Sequence, residues 1–219
     1  MRGSNVLKLV IGNKRYSSWS MRPWILMKVF EVPFEEILVP LYRAESKPAL
    51  LAHSPAGKAP ILKDGALTVW ESLAIIEHVA DLFPDRAIWP RDPAARAHAR
   101  ALACEMHAGF SALRNECSMN FGRAARPVPI SDGALADAER IDAAWRDALS
   151  SYGGPFLFGA FSAADAMFAP VVQRLDNYMI PVSEPSRRYM ETVKTLPAWA
   201  EWRAAARGEA WRLPQFERE

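Results

Sequence analysis

The stretch GKAPILKDGALTVWESLAIIEH, residues 57–78, decides the fold of this chain. Its apolar run Ala59–Leu62 predicts a strand, and Lys63-Asp64-Gly65 supplies the residue types of a hairpin turn. Leu67–Trp70 predicts the returning strand. From Glu71-Ser72 onward the apolar residues recur at helical spacing. The stretch therefore predicts a strand, a tight turn, a second strand and a helix.

Pro60 stands at the start of a strand that is too apolar for a sheet edge, and a residue without an N–H is unusual there. A cis bond between Ala59 and Pro60 resolves this difficulty. It turns the backbone of Ala59 outward and leaves its N–H and C=O groups free to pair with a peptide-like ligand.

Glu71 and Ser72 lie where the predicted helix begins. Free N–H groups and the helix dipole favour a small carboxylate at such a position. Lys58 adds a mobile cation beside it. The same residues also fit an ordinary β-hairpin followed by an N-capped helix, so both interpretations stay open on these residues alone.

The run PAGKAPIL, followed by WESLAI, resembles the glutathione-binding half of the glutathione S-transferase family. The resemblance implies that Pro60 is cis and that the Ala59 backbone pairs with the cysteinyl part of glutathione. It also implies that Glu71 and Ser72 hold the γ-glutamyl end, while Lys58 is expected near the glycine carboxylate. Most members have Val in place of Ala59, and a contact made through the backbone loses little by the change.

Length and composition describe an ordinary globular protein. The chain has 219 residues, of which 50% are hydrophobic and 24% charged, and this size suits one large domain or two small ones. A net charge of +2 is too small to indicate a nucleic-acid partner. No apolar run approaches the roughly 20 residues of a membrane span, and the N-terminus shows no signal-peptide pattern.

The two cysteines, Cys104 and Cys117, are not a disulfide framework, which predicts a reducing cytoplasm. Their spacing fits no zinc signature, and the histidines form no ligand-spaced cluster, so we expect no metal. Both cysteines are predicted to lie in the core of the helical half.

The remaining sequence predicts two halves. Residues 6–11 and 33–39 predict strands joined by a helix, which makes them parallel. Together with the opening stretch they give a βαβ-ββα order, the thioredoxin-like arrangement that the resemblance implies. After the proline-rich connection Trp89–Pro93 the periodicity is helical to the end. We predict a thioredoxin-like domain over residues 1–84, a linker over 85–93 and an all-α bundle domain over 94–219.

Two patterns in the helical half support this division. Apolar residues from Leu102 to Cys117 follow one helix face. Ser162, with Asp165 three positions later, predicts a capping box at the start of a buried helix. This box is a hallmark of the transferase family, so the resemblance extends over nearly the whole chain.

The thiol of glutathione is mostly protonated at neutral pH, because an unperturbed thiol has a pKa of about 8.5, and the thiolate is the nucleophile. A hydroxyl that donates a hydrogen bond to sulfur stabilises the anion, aided by a helix N-terminus. Ser17 and Ser18 lie directly before the first helix, whose first turn we expect to hold Pro23. Tyr16 is the alternative donor, and the serines also fit simple helix caps.

The motif Ser-Ser-Trp-Ser resembles the Ser-Ser-Cys-Ser motif of the zeta class, and this alignment favours Ser17. A theta-class alignment favours Ser18 instead. Trp19 replaces the zeta-class cysteine, a departure that puts maleylacetoacetate isomerase activity in doubt. The replacement also removes the cysteine that omega- and beta-class relatives use for disulfide exchange.

The resemblance predicts a cytoplasmic, homodimeric detoxification enzyme of the glutathione transferase type, acting on glutathione and a small electrophile. The alternatives are a glutathione-dependent isomerase or peroxidase, or a non-catalytic glutathione-binding module. Residues of the helical half are expected to line the second-substrate pocket. Two of them are polar and could interact with a charged group of the electrophile. The full set is Met106, Phe110, Arg114, Met119 and Asn120, of which Arg114 and Asn120 are the polar ones.

Overall fold

The computed structural model describes residues 6–217 of the chain. The first part of the described chain alternates strands with helices, in the predicted βαβ-ββα order with one short extra helix. Its elements are β1 (Leu7–Ile11), α1 (Ser18–Val29), β2 (Phe34–Leu38), α2 (Ser46–Leu51), β3 (Ile61–Asp64), β4 (Leu67–Trp70) and α3 (Ser72–Leu82).

These strands form one mixed sheet in the order β2-β1-β3-β4. β1 runs parallel to β2, while β3 is antiparallel to both β1 and β4. The parallel pair follows from the helix that joins the two strands, since a crossover returns the chain in the same direction. The thioredoxin-like prediction is confirmed. The predicted hairpin is present as well, formed by β3 and β4, and Leu62 pairs with Val69 across it.

The second part of the described chain is helical. Its elements are α4 (Pro93–Ala108), α5 (Ser111–Glu116), α6 (Asp132–Tyr152), α7 (Ala163–Asn177), α8 (Glu184–Lys194) and α9 (Pro197–Gly208). Between residues 6 and 217 no helix combines the length and the apolar character needed to cross a bilayer. The placement of the domain boundaries at residues 84 and 94 stays a prediction.

Helix α7 occupies the centre of the helical part and is buried along almost its whole length. The predicted capping box is present at its start, where the Ser162 N–H donates to Asp165 Oδ2 at 2.8 Å. The Leu157 N–H donates to the other carboxylate oxygen at 3.1 Å. Burial nevertheless raises the pKa of Asp165 to about 6, because removing the anion from water costs more than these bonds return.

One hydrophobic core joins the two parts, with α1 between the sheet and the helices. Trp24 of α1 lies edge-on to Trp202 of α9, with ring centroids 5.0 Å apart. Trp24 Nε1 donates to Glu36 at 2.7 Å, and the Lys14 ammonium lies 4.9 Å from the Trp24 ring. This packing fixes the start of α1 against the helical part.

Three local predictions need correction. β3 begins at Ile61, so Pro60 precedes the strand and interrupts no sheet hydrogen bond. Pro23 lies inside α1, because the helix begins earlier than expected, at Ser18. The predicted single helix through residues 102–117 is two helices, because Phe110 adopts a left-handed conformation with φ of 58°. The apolar spacing continues across this break, so periodicity alone did not reveal it.

Candidate active site

A cavity of about 750 Å³ opens between the start of α1, the segment before β3 and the helices α5 and α7. It brings together residues that are far apart in sequence. The lining includes Ser17, Ser18, Trp19, Lys47, Lys58, Ala59, Arg114, Ser118, Met119, Arg174 and Phe216. The sequence-predicted serines therefore face the sequence-predicted backbone site across one space.

Ala59 has the conformation that the sequence predicts. The Ala59–Pro60 bond is cis, and the Ala59 N–H and C=O form no hydrogen bond with any described residue. Lys58 is exposed at the rim of the cavity, and Pro60 is buried beneath it. A peptide backbone can therefore pair with Ala59 without displacing an internal partner.

A smaller recess of about 230 Å³ adjoins the cavity and includes Pro60, Trp70, Glu71 and His107 in its lining. Glu71 has a left-handed backbone with φ of 70° and directly precedes α3. A non-glycine residue in this region is uncommon, and such residues cluster at ligand sites. Because α3 begins at the next residue, its N-terminus is directed toward this recess, where a carboxylate is favoured.

Ser72 opens α3 and is fully buried, so it lies below the surface of both spaces rather than lining them. Its Oγ has no hydrogen-bond partner among the described residues. A buried hydroxyl without a partner is rare in a folded protein. The predicted role of Ser72 as a simple helix cap is not what the geometry shows, since the cap position is Glu71 and no side chain closes the helix there.

Ser17 and Ser18 differ in how their hydroxyl groups are used. Ser17 Oγ donates to Ser20 Oγ at 2.8 Å, and Ser20 Oγ also accepts from the Gly12 N–H at 3.0 Å. Ser18 Oγ instead accepts from Arg174 Nη2 at 3.2 Å. The Ser18 hydroxyl proton thus has no acceptor within the described chain, so it can be donated to a ligand.

Tyr16 is held by the C-terminal segment, residues 209–217. Its hydroxyl donates to the Glu217 carboxylate and accepts from the Leu213 N–H at 3.2 Å. Burial, and then the bond to Glu217, raises the pKa of Tyr16 above its usual value. A phenol occupied in this way is a poorer donor to sulfur than the Ser18 hydroxyl.

Three arginines surround the start of α1. Arg22 is fully buried and its guanidinium carbon lies 4.0 Å from the Trp19 ring centroid. Burial lowers the pKa of Arg22 and Arg114, and the pKa of Arg174 falls to about 10 for the same reason. The charges of Arg174 and Arg114 lower the pKa of Arg22 further, and the charge of Arg114 does the same to Arg174. None of the three forms an ion pair within 4.0 Å inside the described chain. The surroundings of α1 are therefore strongly positive.

Two of the residue positions predicted from the sequence differ in the structure. Asn120 is buried away from the cavity, where it donates to Glu217 at 3.1 Å. Cys104 is exposed rather than in the core, while Cys117 is buried as predicted. In residues 6–217 no group of three or more metal-ligating side chains is present.

Lys47 and Phe216 line the cavity although no sequence motif indicates them. Lys47 comes from α2, and its ammonium donates to the Gly57 carbonyl at 3.2 Å. Phe216 comes from the C-terminal segment, which no pattern connects with the N-terminal half. Its ring centroid lies 5.6 Å from that of Tyr16 and 5.2 Å from that of Tyr42, and its carbonyl accepts from Ser118 Oγ at 2.9 Å.

The family models agree with this geometry. Residues 16–82 match the glutathione S-transferase N-terminal domain, and residues 105–205 match the C-terminal domain. The chain belongs to the glutathione S-transferase family. The two matches include the serine loop, the Ala59-Pro60 segment and Glu71-Ser72 in the first domain, and Arg114 and Arg174 in the second.

Individual relatives extend this comparison. A probable maleylacetoacetate isomerase from Caenorhabditis elegans is 37% identical over 99 residues, which span 45% of this chain and 46% of that protein. A maleylpyruvate isomerase from Ralstonia sp is 26% identical over 200 residues, covering 84% of this chain and 87% of the relative. The nematode match thus spans about half of that relative's length.

A solved structure of a glutathione transferase homolog from Burkholderia gl BGR1, which has glutathione bound, shares the fold. It superposes with a TM-score of 0.71 at 23% identity, covering 94% of this chain and 100% of the other. At this identity the similarity concerns the fold.

Proposed function

We propose that this protein is a glutathione transferase in which the Ser18 hydroxyl stabilises the thiolate of glutathione for attack on a small electrophile. The observation that carries the proposal is the shared cavity. Ser18, at the start of α1, and Ala59, before β3, face the same space although about 40 residues separate them.

Glutathione fits this space in one direction. Its cysteinyl backbone pairs with the unpartnered N–H and C=O of Ala59. Its γ-glutamyl carboxylate is placed at the start of α3, beside Glu71 and Ser72, where the helix N-terminus favours an anion. Lys58, with Lys47 next to it on the cavity wall, takes the glycine carboxylate. The sulfur then lies toward α1.

Three features stabilise the anion at that position. The Ser18 hydroxyl donates to sulfur, the N-terminus of α1 adds its partial positive charge, and the Arg174 guanidinium lies against Ser18 Oγ at 3.2 Å. Since Arg174 donates to the serine oxygen, it orients the hydroxyl proton away from itself. Arg174 is thus a positioning residue, whereas Ser18 contacts the reacting sulfur.

Substitution of each serine tests this assignment. We expect Ser18→Ala to lower kcat with a neutral aromatic chloride by roughly 10- to 1,000-fold, because one donor to a developing anion contributes a few kcal/mol. The KM for glutathione should change little. Ser17→Ala should cost less, since the Ser17 hydroxyl already donates to Ser20.

The matched control is Ser20→Ala, which releases the Ser17 hydroxyl without touching Ser18. It should leave kcat within a few-fold of wild type. If Ser17→Ala is the slower variant and Ser18→Ala keeps full turnover, the zeta-like assignment replaces this one. Full activity in both would show that the two hydroxyls only stabilise the loop.

A second candidate function is glutathione-dependent isomerisation of a double bond, favoured by the isomerase relatives. In such a reaction the thiolate adds to one alkene carbon, the resulting single bond rotates, and expulsion of the thiolate restores the double bond and regenerates glutathione. Trp19, in place of the zeta-class cysteine, is the feature against it. Product analysis separates the candidates, because transfer yields a stable thioether and isomerisation consumes no glutathione.

We also propose that the protein works as a cytoplasmic homodimer. The edge strand β4 presents Leu67 and Trp70 with 50% and 41% of their surface exposed. Large apolar side chains together on an edge strand favour a contact with another protein surface.

A further inference from the structure

The charged side chains that line the main cavity all have the same sign. Five cationic side chains line it, and no aspartate or glutamate does so among the residues described. A recessed space of this kind concentrates anions, because the attraction is screened less than at a flat surface. The five are Arg43, Lys47, Lys58, Arg114 and Arg174.

Glutathione accounts for only part of this charge. Lys47 and Lys58 lie on the Ala59 side, where the proposed function places the glycine carboxylate. Arg43 stacks on Trp211, with its guanidinium carbon 5.1 Å from the ring centroid. Arg114 and Arg174 line the opposite, helical wall.

Arg174 makes three hydrogen bonds within the protein. Its Nη1 donates to the carbonyls of Cys117 and, at 3.1 Å, Arg114, while its Nη2 donates to Ser18. It therefore fixes the end of α5 against the start of α1. The same guanidinium bonds to both Ser18 and the Arg114 backbone, so these two residues lie within one side chain of each other.

Arg114 differs from Arg174 because only one of its guanidinium nitrogens donates to the protein, whereas two do so in Arg174. Nη1 donates to the carbonyls of Met106 and His107 at 3.2 and 3.1 Å, at the end of α4. Nε and Nη2 donate to no described residue. The planar group also lies against Trp19, its carbon 5.3 Å from the ring centroid, which limits its freedom to swing into solvent.

No acid neutralises this guanidinium at contact distance within the described chain. Burial lowers the pKa of Arg114, and the charge of Asp137 only opposes this shift; Asp137 Oδ2 already accepts from the Leu113 N–H at 3.0 Å. A partly buried cation with two open donors and no counter-ion is suited to an anionic ligand.

We propose that Arg114 binds a carboxylate of the second substrate, so that the preferred electrophiles are small carboxylic acids. The inference rests on the proposed transferase function. Because the Arg114 guanidinium lies against Trp19, the residue next to Ser18, the reactive carbon of such a substrate lies only a few bonds from its carboxylate. The Arg114 fork donates from Nε and Nη2 to the two carboxylate oxygens, and the thiolate attacks from the Ser18 side.

A matched pair of electrophiles tests the proposal: 4-chloro-3,5-dinitrobenzoate and its primary amide. In both, the glutathione sulfur forms a bond to the ring carbon that bears chlorine, the ring takes up the electron pair, and the carbon–chlorine bond breaks with loss of chloride. The thiol proton passes to solvent. The pair differs only at the carboxylate, and dividing each kcat/KM by the uncatalysed rate constant removes the difference in intrinsic reactivity.

We expect wild type to prefer the acid by about 10- to 150-fold, the range of a charge-assisted hydrogen bond. Arg114→Gln should bring the ratio close to one without changing the KM for glutathione. Arg114→Lys should keep an intermediate ratio, because it retains the charge and loses the fork. Arg140→Gln is the control, since Arg140 is exposed and paired with Glu105, and its ratio should equal that of wild type.

Equal use of both electrophiles by wild type would overturn the inference and leave the transferase function standing. An acid preference that survives in Arg114→Gln would overturn the assignment to Arg114. If wild type turns over neither electrophile, calorimetry measures the affinities of the protein for the two preformed glutathione conjugates. Tighter binding of the acid conjugate supports the proposal, and equal affinities contradict it. Should no conjugate and no glutathione bind, the proposed function itself fails. If Arg114→Gln does not fold, the wild-type and Arg114→Lys ratios give the answer.

Discussion

The two ends of the cavity are built in different ways. The glutathione end comes mainly from one continuous stretch, residues 57–78, in which a cis bond exposes the Ala59 backbone and the start of α3 follows Glu71. The electrophile end is assembled from α5, α7 and the C-terminal segment, which contribute Arg114, Arg174 and Phe216.

This difference separates two kinds of recognition. In the proposed function, backbone groups and a helix terminus recognise glutathione at one end, and these depend on chain geometry more than on side-chain identity. At the other end, individual side chains from distant segments determine shape and charge. A single substitution can therefore alter electrophile selection while leaving glutathione binding intact, and the converse also holds.

Ser72→Ala tests the glutathione end and should have a large effect on affinity. We expect glutathione to bind about 10- to 150-fold more weakly, because a charge-assisted hydrogen bond contributes about 1.5–3 kcal/mol. The free energy of unfolding without ligand should not fall, since Ser72 Oγ has no partner in the described chain. Calorimetric titration and denaturant unfolding measure the two quantities.

Ser186→Ala is the control for that experiment. Ser186 is equally buried but lies in the helical part, where Ser183 Oγ donates to it at 3.2 Å. This variant should lose stability and keep its affinity for glutathione. If Ser72→Ala behaves in the same way, Ser72 is a structural residue and the γ-glutamyl site lies elsewhere.

Glu209 holds the C-terminal segment against the loop before α1 and gives a smaller effect that depends on pH. Its carboxylate accepts from the backbone N–H groups of Lys14 and Arg15 at 2.6 and 3.1 Å, just before the serine loop. Burial, with a contribution from Glu36, raises the pKa of Glu209 to about 7 against the opposing effect of Lys14. The folded protein therefore holds a proton at Glu209 that the unfolded chain releases at lower pH.

Between about pH 4.5 and pH 7 the folded state binds more protons at this site than the unfolded state. The stabilisation from Glu209 is thus present at low pH and decreases as the pH rises through this window. Glu209→Gln should show a smaller loss of unfolding free energy from pH 5 to pH 7.5 than wild type. Comparison with Glu201→Gln, an exposed partner of Lys28, removes general charge effects, and identical pH slopes in all three proteins would contradict the assignment.

The sequence predicts the glutathione end better because its signals are local. The cis bond, the hairpin and the helix start each depend on neighbours within a few residues, and the structure has all three. The break at Phe110 escaped prediction because Met106 before it and Leu113 after it are both buried. The apolar pattern records burial, whereas the change of direction depends on one left-handed residue.

The presence of Lys47 and Phe216 in the cavity lining is evident only from the tertiary structure. Neither residue belongs to a motif, and each reaches the cavity only because a distant element packs beside it. The choice between Ser17 and Ser18 is of the same kind. Both fit the motif, and the distinction lies in contacts with Ser20 and Arg174 that only the folded chain brings together.

The central claim is that this cavity binds glutathione and favours its thiolate. The most direct measurement is the near-ultraviolet absorbance of the thiolate in a complex of wild-type protein with glutathione, followed as a function of pH. We predict that the thiol titrates at least one unit below the roughly 8.5 of a free thiol, a preference for the anion of about 1.4 kcal/mol or more, and that Ser18→Ala moves it back toward that value. A bound thiol that titrates like free glutathione in wild type would contradict the account.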